Sequence, residues 1–410
     1  MIDASRLTAS TLVQTLLRKE ILTICAVVFL ADNVAGVLLA TFSLYAASLG
    51  ASVVLVGLLT SLTGLTSLVS SMPVGIASDR IGRSRVLLGG MTGMAVSMLL
   101  FALAPSAPWL IPGRLLFGMA MVAAFWIAAA YLGDIVAGPA RGLAFGVMTT
   151  AMGLGFTVGS LLGGEIAERL GMRAAYLLAA AIGAVGAAIV LTVLGVRRTD
   201  GRGSQPRASR SLRASLAVAR ERPLLLAGAA SILSALAFGG AVLTIFPLYA
   251  ASLGLAAGTI GVMFAIRSLT STLIRLPSGA LITAFGSGRV MLAALLIEFI
   301  AVIGIGAANG YGSLLLWLAL EGLGYGAFLT SSQAYVAEHS AEASRGAAIG
   351  FYAMTGGIGN TLAPLLLGVI ASLLGLEAVF LVTGGMGLAV LAFTGTIRVI
   401  QRRPASAPRF

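Results

Sequence analysis

The sequence predicts an all-α membrane protein, twelve transmembrane helices arranged as two six-helix bundles that are related by a parallel pseudo-two-fold repeat. Three observations predict this. Of the 410 residues, 59% are hydrophobic and only 10% charged, whereas soluble domains run near 45–50% apolar and about 25% charged, so one aqueous core cannot hide this much apolar surface. The apolar residues gather into twelve runs, each close to the roughly 20 residues that a membrane-crossing helix needs. The second half of the chain also repeats the first at a constant offset of 204 residues.

Taken in chain order, residues 1–20 form a polar tail with Arg6, Arg18, Lys19 and Glu20. No cleavage-site pattern follows a short apolar region, so the first run reads as a retained span rather than a signal peptide. The first bundle, residues 21–196, places spans at about 21–45, 53–76, 86–104, 109–132, 143–165 and 174–196. Residues 197–222 form a linker in which Arg197, Arg198, Arg202, Arg207, Arg210, Arg213, Arg220 and Arg222 stand among Gly and Ser. It reads first as a solvated connector that also fixes orientation, and second as a patch for anionic lipid head groups. The second bundle, residues 223–397, places spans at about 224–250, 259–283, 289–308, 313–336, 346–372 and 377–397, and residues 398–410 form a tail.

Lys and Arg outside the spans, with Arg289 at the start of the ninth, number 21 on the side that holds both termini and the linker. The opposite side has 2, Arg169 and Arg173. By the positive-inside rule both termini are cytoplasmic, which makes this a multi-pass protein of the cell inner (plasma) membrane. The net charge of +12 therefore follows membrane topology and does not call for nucleic acid. Lys19, the only lysine, has no glycines before it, so the chain has no phosphate-binding Gly-x-x-x-x-Gly-Lys loop and binds no ATP of its own. Single residues Cys25 and His339 exclude an internal disulfide, a thiolate or histidine-rich metal site and an iron–sulfur cluster, so no cofactor is expected.

The repeat runs without a gap from about residue 42 to 175. Tyr45-Ala-Ala-Ser-Leu-Gly50 recurs as Tyr249-Ala-Ala-Ser-Leu-Gly254, and Pro73/Pro277, Gly82/Gly286, Gly118/Gly322, Tyr131/Tyr335 and Gly164/Gly368 keep the same register. Six spans separate the copies, so both cross the membrane in the same sense and are related by an axis along its normal. Two such bundles can rock about a midplane cavity, which implies alternating access.

Between the second and third spans lies Gly75-Ile-Ala-Ser-Asp79-Arg80-Ile-Gly82-Arg83-Ser84-Arg85. It is similar to the Gly-x-Leu-Ala-Asp-Arg-x-Gly-Arg-Lys signature of the major facilitator superfamily, with Ser84 in place of the usual basic residue. Gly75 would let two helices approach closely, and Asp79 suits the positive end of a neighbouring helix. The resemblance implies the major facilitator fold and a cytoplasmic latch closed on the eleventh span, with Asp134 as the partner of Arg83. The latch is one-sided, because Asp79, Arg80 and Arg83 correspond to Thr283, Ala284 and Ser287 in the second half. Arg114-Leu-Leu-Phe-Gly118 resembles the family's Arg-x-x-x-Gly pattern, which implies a part for Arg114 in proton coupling; snorkelling to the nearby interface is the alternative. Gly155-Phe-Thr-Val-Gly159-Ser160-Leu-Leu-Gly163-Gly164 resembles the signature of the antiporter branch with Ser160 in place of proline. Small residues at this spacing also permit tight helix packing whatever the function.

Ionisable residues inside a bilayer are functional hypotheses with a partner to be named. Asp32 and Asn33 sit near the middle of the first span, Arg267 and Arg275 in the eighth, Glu298 in the ninth and Glu321 in the tenth. Arg275 and Glu298 lie about 11 and 12 residues from the turn near residue 286, about 17 Å at 1.5 Å per residue, and are expected to form a structural ion pair. Arg267 and Glu321 also match in depth and can meet. In the family the first, fourth, seventh and tenth spans line the cavity, which places Asp32, Arg114 and Glu321 near the substrate. A carboxylate partly stripped of water holds a proton more readily, so Asp32 is the first choice as proton carrier and Glu321 the second. The alternative makes Asp32 a permanent partner of Arg114 or Asn33. Tyr45, Phe125, Trp126, Phe246, Tyr249, Tyr325 and Phe328 are candidates for a greasy cavity wall or for plain packing, and Phe125, Trp126, Tyr249 and Tyr325 join Asp32, Asn33, Arg114, Arg267 and Glu321 as candidate substrate contacts.

These readings predict a secondary transporter, a proton-coupled antiporter exporting amphiphilic small molecules in the manner of multidrug exporters and working as a monomer. The alternative within transport is a proton symporter or facilitator for a specific metabolite or organic anion, with Arg114 and Arg267 as ligands. A membrane-embedded lipid-modifying enzyme is remote, because no nucleophile, base or metal set gathers at membrane depth.

Overall fold

The computed structural model describes residues 18–136, 140–195, 221–340 and 344–401, without the side chains of residues 140, 141 and 394–401. The tail before Arg18, the linker arginines from Arg197 to Arg220 and the last nine residues lie outside the described residues. Twelve described helices are long and apolar enough to cross a membrane. They are α1 (Lys19–Ser48), α2 (Val53–Ile81), α3 (Arg83–Ala102), α4 (Ala107–Ile135), α5 (Ala140–Leu170) and α6 (Met172–Leu194), then α7 (Arg222–Ser252), α8 (Ala257–Phe285), α9 (Ser287–Gly306), α10 (Tyr311–Glu338), α11 (Arg345–Leu374) and α12 (Leu376–Gln401). With no water in the hydrocarbon layer, each helix satisfies its own backbone donors and acceptors, which is why an apolar chain of this kind takes this form.

The repeat is written into helix ends as well as sequence. Both ends of α2 and α3 recur in α8 and α9 at the 204-residue offset. Gly82, at φ 98°, stops α2 and starts α3, and Gly286, at φ 85°, does the same between α8 and α9. Only glycine adopts such a left-handed turn without strain. An aromatic clamp is repeated too. The Tyr45 hydroxyl donates to the Phe101 carbonyl at 2.8 Å, and its ring packs 4.9 Å from that of Tyr176. In the second bundle Tyr249 packs 5.1 Å from Phe380, the residue 204 positions after Tyr176. Each bundle has its own buried apolar core.

The bundles meet along α1 with α7, α2 with α11 and α5 with α8. Contact is close at the end away from the termini. There Gly57 abuts Pro364, Gly368 abuts Val53, and Gly164 abuts Ala257 and Gly261, leaving no room for a Cβ. Small residues are what let membrane helices approach this closely. The Ser43 hydroxyl donates to the Thr244 carbonyl at 2.8 Å across the same seam. At the end that carries the termini the situation reverses. A Cβ added at Gly75, Gly146, Gly279 or Gly346 would meet nothing within 4 Å, and Leu276 on α8 is 85% exposed. The molecule is pinched shut at one end and splayed at the other.

Glu168 at the end of α5 fastens the closed end. Its Oε2 accepts from the backbone N–H of Gly258, in the first turn of α8, at 2.8 Å. That helix end has no side-chain cap of its own at Ala256, and a carboxylate there is favoured by the helix dipole. Glu168→Ala is expected to loosen this closure roughly two- to fivefold in the ratio of closed to open molecules. A cysteine placed at Val53 in a Cys25→Ser background should then react faster with a membrane-impermeant maleimide; an unchanged rate would show that Glu168 does not hold the seam.

Candidate functional site

The second bundle carries a buried ion pair. Arg267 on α8 donates through Nε to Glu321 Oε2 at 2.6 Å and through Nη2 to Oε1 at 2.9 Å, a two-pronged geometry that fits a planar guanidinium to a carboxylate. Both residues are sealed, at 3% and 0% exposure. The guanidinium carbon lies 3.8 Å from the centre of the Phe238 ring and 4.7 Å from that of Tyr325, and the two rings stand 4.2 Å apart. Gly322 and Gly326 allow α10 to press on the carbonyls of Arg267 and Ser271, which brings the pair together. The contact that equal depth allows between Arg267 and Glu321 is formed.

The ion pair expected between Arg275 and Glu298 is absent among the described residues. Counting residues from a turn gives depth but not azimuth. Eight residues separate Arg275 from Arg267, and at about 100° per residue the two leave α8 about 80° apart. Arg275 points to the first bundle, where Nη1 approaches the Thr149 carbonyl of α5 at 3.5 Å. Glu298 is wholly buried behind α10, and both its oxygens face the Ser234 hydroxyl at 3.0 and 3.1 Å.

In the first bundle Arg114 on α4 is 1% exposed, which corrects the snorkelling alternative. Its Nη1 donates to Thr63 Oγ1 on α2 at 3.3 Å and its guanidinium carbon sits 3.2 Å from the centre of the Phe42 ring, while Nε has no partner. No carboxylate pairs with it among the described residues. Thr63 is the repeat counterpart of Arg267, so the same helix contact is used in both bundles with the cation moved from one helix to the other.

Asp32 on α1 is half-buried and makes no hydrogen bond or ion pair within 4 Å among the described residues, so the proposed permanent partnership with Arg114 or Asn33 is not formed. The opposite charge that acts on it is Arg275, reaching from the other bundle. Asn33 is 3% exposed beneath Gly159, with its side-chain oxygen unpartnered. Gly155, Gly159 and Gly163 press α5 on Phe29, Asn33 and Val37 of α1, whereas Gly164 turns to α8.

Tyr249 does not join the site. It is 6% exposed, and its hydroxyl lies 3.4 Å from the Gly306 and Ala308 carbonyls, which ties α7 to the end of α9. Trp126 stands 59% exposed on the strip of α4 that carries Leu115 and Met119, apart from the Arg114 contacts. Phe125 is half-buried against the first core, and Tyr325 alone of the four aromatics touches a site charge. Of the further residues at the site, Phe42, Phe238, Thr149 and Ser234 carry no signal in the sequence, and Thr63 carries one by aligning with Arg267.

The signature between α2 and α3 is open. Arg83 binds Asp79 at 2.9 Å, Asp134 at 3.2 Å and the Ser78 hydroxyl at 2.7 Å, all within the first bundle. Among the described residues no contact joins these groups to the first turn of α11, and the close approach expected at Gly75 is not made, because the bundles are splayed at this end.

Residues 24–256 and 227–410 match the Major Facilitator Superfamily. Multidrug resistance protein MdtG of Enterobacter lignolyticus (strain SCF1) is 28% identical over 349 residues, 83% of this chain and 81% of that one. Inner membrane transport protein YajR of Escherichia coli (strain K12) is 32% identical over 145 residues; that match spans 35% of this chain and about a third (32%) of YajR. The crystal structure of nucleoside transporter NupG superposes with a TM-score of 0.77 at 17% identity, over 92% of this chain and 98% of that one.

Proposed function

The chain belongs to the major facilitator superfamily, whose matched relatives are transporters and not enzymes, and from that premise we propose that it is a proton-coupled antiporter that exports amphiphilic small molecules. It is a multi-pass membrane protein; the excess of basic residues on the terminal side supports a cytoplasmic position for that side at the inner membrane, and in this reading the splayed end faces inward. The reading is carried by one observation. Asp32 is a half-buried carboxylate with no hydrogen bond or ion pair among the described residues, and it lies within electrostatic reach of Arg275 of the opposite bundle. When Asp32 is ionised, the two charges draw the bundles together, and when it is protonated this attraction is gone. A proton on Asp32 therefore changes the balance between the two states, which is what coupling requires. The name of the MdtG relatives supports multidrug export.

The open latch belongs to this inward-facing arrangement. When the inner side closes, Asp79 meets the first turn of α11, and Glu168 at the outer end lets go of α8. The chain acts as a monomer.

A second reading, symport or facilitated passage of an organic anion, is favoured by the uncompensated guanidinium of Arg114. Purified protein in liposomes separates the two. Under an imposed pH gradient, lipophilic cations such as tetraphenylphosphonium are expected to accumulate against the proton flow. Accumulation of organic anions along the proton flow, with no cation movement, would transfer the assignment to the second reading.

A further inference from the structure

Glu298 stands outside every role given so far. It is 0% exposed, and among the described residues it has no ion pair. Among the described residues its side-chain hydrogen-bond partner is Ser234, whose Oγ lies 3.0 Å from one carboxyl oxygen and 3.1 Å from the other. A serine hydroxyl has one hydrogen to give. It either divides that hydrogen between the two oxygens of a carboxylate or serves one of them while a protonated carboxyl donates its own hydrogen to the serine oxygen. Charge balance favours the second arrangement. Two carboxylates, Glu298 and Glu321, adjoin the single guanidinium of Arg267, and Arg267 is committed to Glu321 on both prongs. A second negative charge in this sealed volume would be a buried, unpaired ion.

The carboxyl also has a polar approach. Ser231 lies one turn before Ser234 on the same face of α7, since residues three apart are neighbours on a helix. Ser231 interacts with the Tyr352 hydroxyl of α11, and that hydroxyl lies 2.6 Å from Ser332 Oγ on α10. Tyr352 is half-buried in the half of the bundle nearest the splayed end. The groups that face Glu298 are Ser234 on α7, Arg267 on α8, Glu321 and Tyr325 on α10, and Tyr352 on α11. In the described part of α12 the only acid is Glu377, at the far end.

We propose that Glu298 is a second proton-binding site of the transport cycle, reached from the inner side past Tyr352, Ser231 and Ser234, and linked to the cavity because its ionised form competes with Glu321 for Arg267. The proton leaves along these hydroxyls to water. Arg267 is then shared by two carboxylates, and its grip on Glu321, and with it the stack on Phe238 and Tyr325, loosens. The proposal rests on the proton-antiport reading, which it extends from the seam to the interior of the second bundle.

Two measurements test it, with Glu298→Gln as the neutral mimic. Infrared difference spectra of the wild type between acid and alkaline pH are expected to show loss of two carbonyl bands of neutral carboxylic acids, one from Asp32 that is missing in Asp32→Asn and one from Glu298; the Glu298 band should be missing in Glu298→Gln, retained in Asp32→Asn and shifted in Ser234→Ala, which keeps the acid and removes its partner. In proteoliposomes, Glu298→Gln is expected to keep tetraphenylphosphonium counterflow and to lose at least tenfold of its pH-gradient-driven accumulation. Persistence of both bands in Glu298→Gln overturns the proposal, as does gradient-driven accumulation equal to that of the wild type. If the wild type shows the Glu298 band but no gradient-driven accumulation of the cation, the antiport reading falls and Glu298 remains a proton site.

Discussion

Asp32→Asn is expected to reduce pH-gradient-driven transport to the background of empty liposomes, a loss of at least tenfold, while counterflow of the same solute persists. The asparagine side chain has the shape of the protonated acid and no charge to lose. Asp32 makes no hydrogen bond or ion pair among the described residues, so the substitution removes no packing or pairing that holds the fold. What it removes is the alternation of charge opposite Arg275. The sign follows from that geometry. At high pH an ionised Asp32 attracts Arg275 and draws α1 towards α8; at low pH the protonated form does not. The asparagine variant is fixed in the low-pH arrangement at every pH, so its exchange rate should be flat where that of the wild type depends on pH. Asp32→Glu keeps a titrating group on a longer arm and is expected to retain part of the coupling. Should Asp32→Asn still concentrate solute in response to the gradient, proton coupling resides elsewhere and the assignment of Asp32 fails.

The fold was legible in the sequence because each of its determinants is local or periodic. Apolar runs set the helices, and the repeat set the relation of the halves; even glycine turns such as Gly82 and Gly286 recur at the repeat offset. The site was legible only in part, and the division is physical. Arg267 and Glu321 could be matched because they sit at equal depth and the glycines of α10 bring the helices together. Arg275 and Glu298 share a depth as well, but depth fixes only the rise along a helix, and the rotation about its axis sent Arg275 towards Thr149 instead. Tyr249 has the ring of a cavity residue, yet it is the repeat twin of Tyr45 and, like it, clamps its own bundle. Phe42 and Phe238 gave no signal, since an aromatic ring facing a guanidinium looks in sequence like any other apolar position in a span.

Glu321→Leu is expected to destabilise the protein by about 3–5 kcal/mol, the cost of leaving one member of a buried ion pair without the other. Arg267 cannot escape to water, being 3% exposed and held between Phe238 and Tyr325, and a guanidinium does not give up its proton in a protein. Arg267→Met strands the other member of the pair and is also expected to destabilise, since Glu321 is 0% exposed and loses both of its guanidinium contacts. The double replacement Arg267→Met with Glu321→Leu leaves no unpaired charge, and apolar side chains of similar volume can stand in for a buried pair at little cost or with a gain. It should therefore melt closer to the wild type than Glu321→Leu does, yet fail to transport, because the exchangeable contact between α8 and α10 is gone. Thermal melting in detergent, set beside transport in liposomes, reads both consequences. If the double variant restores transport as well as stability, the pair is structural mortar and Glu321 and Arg267 leave the coupling machinery.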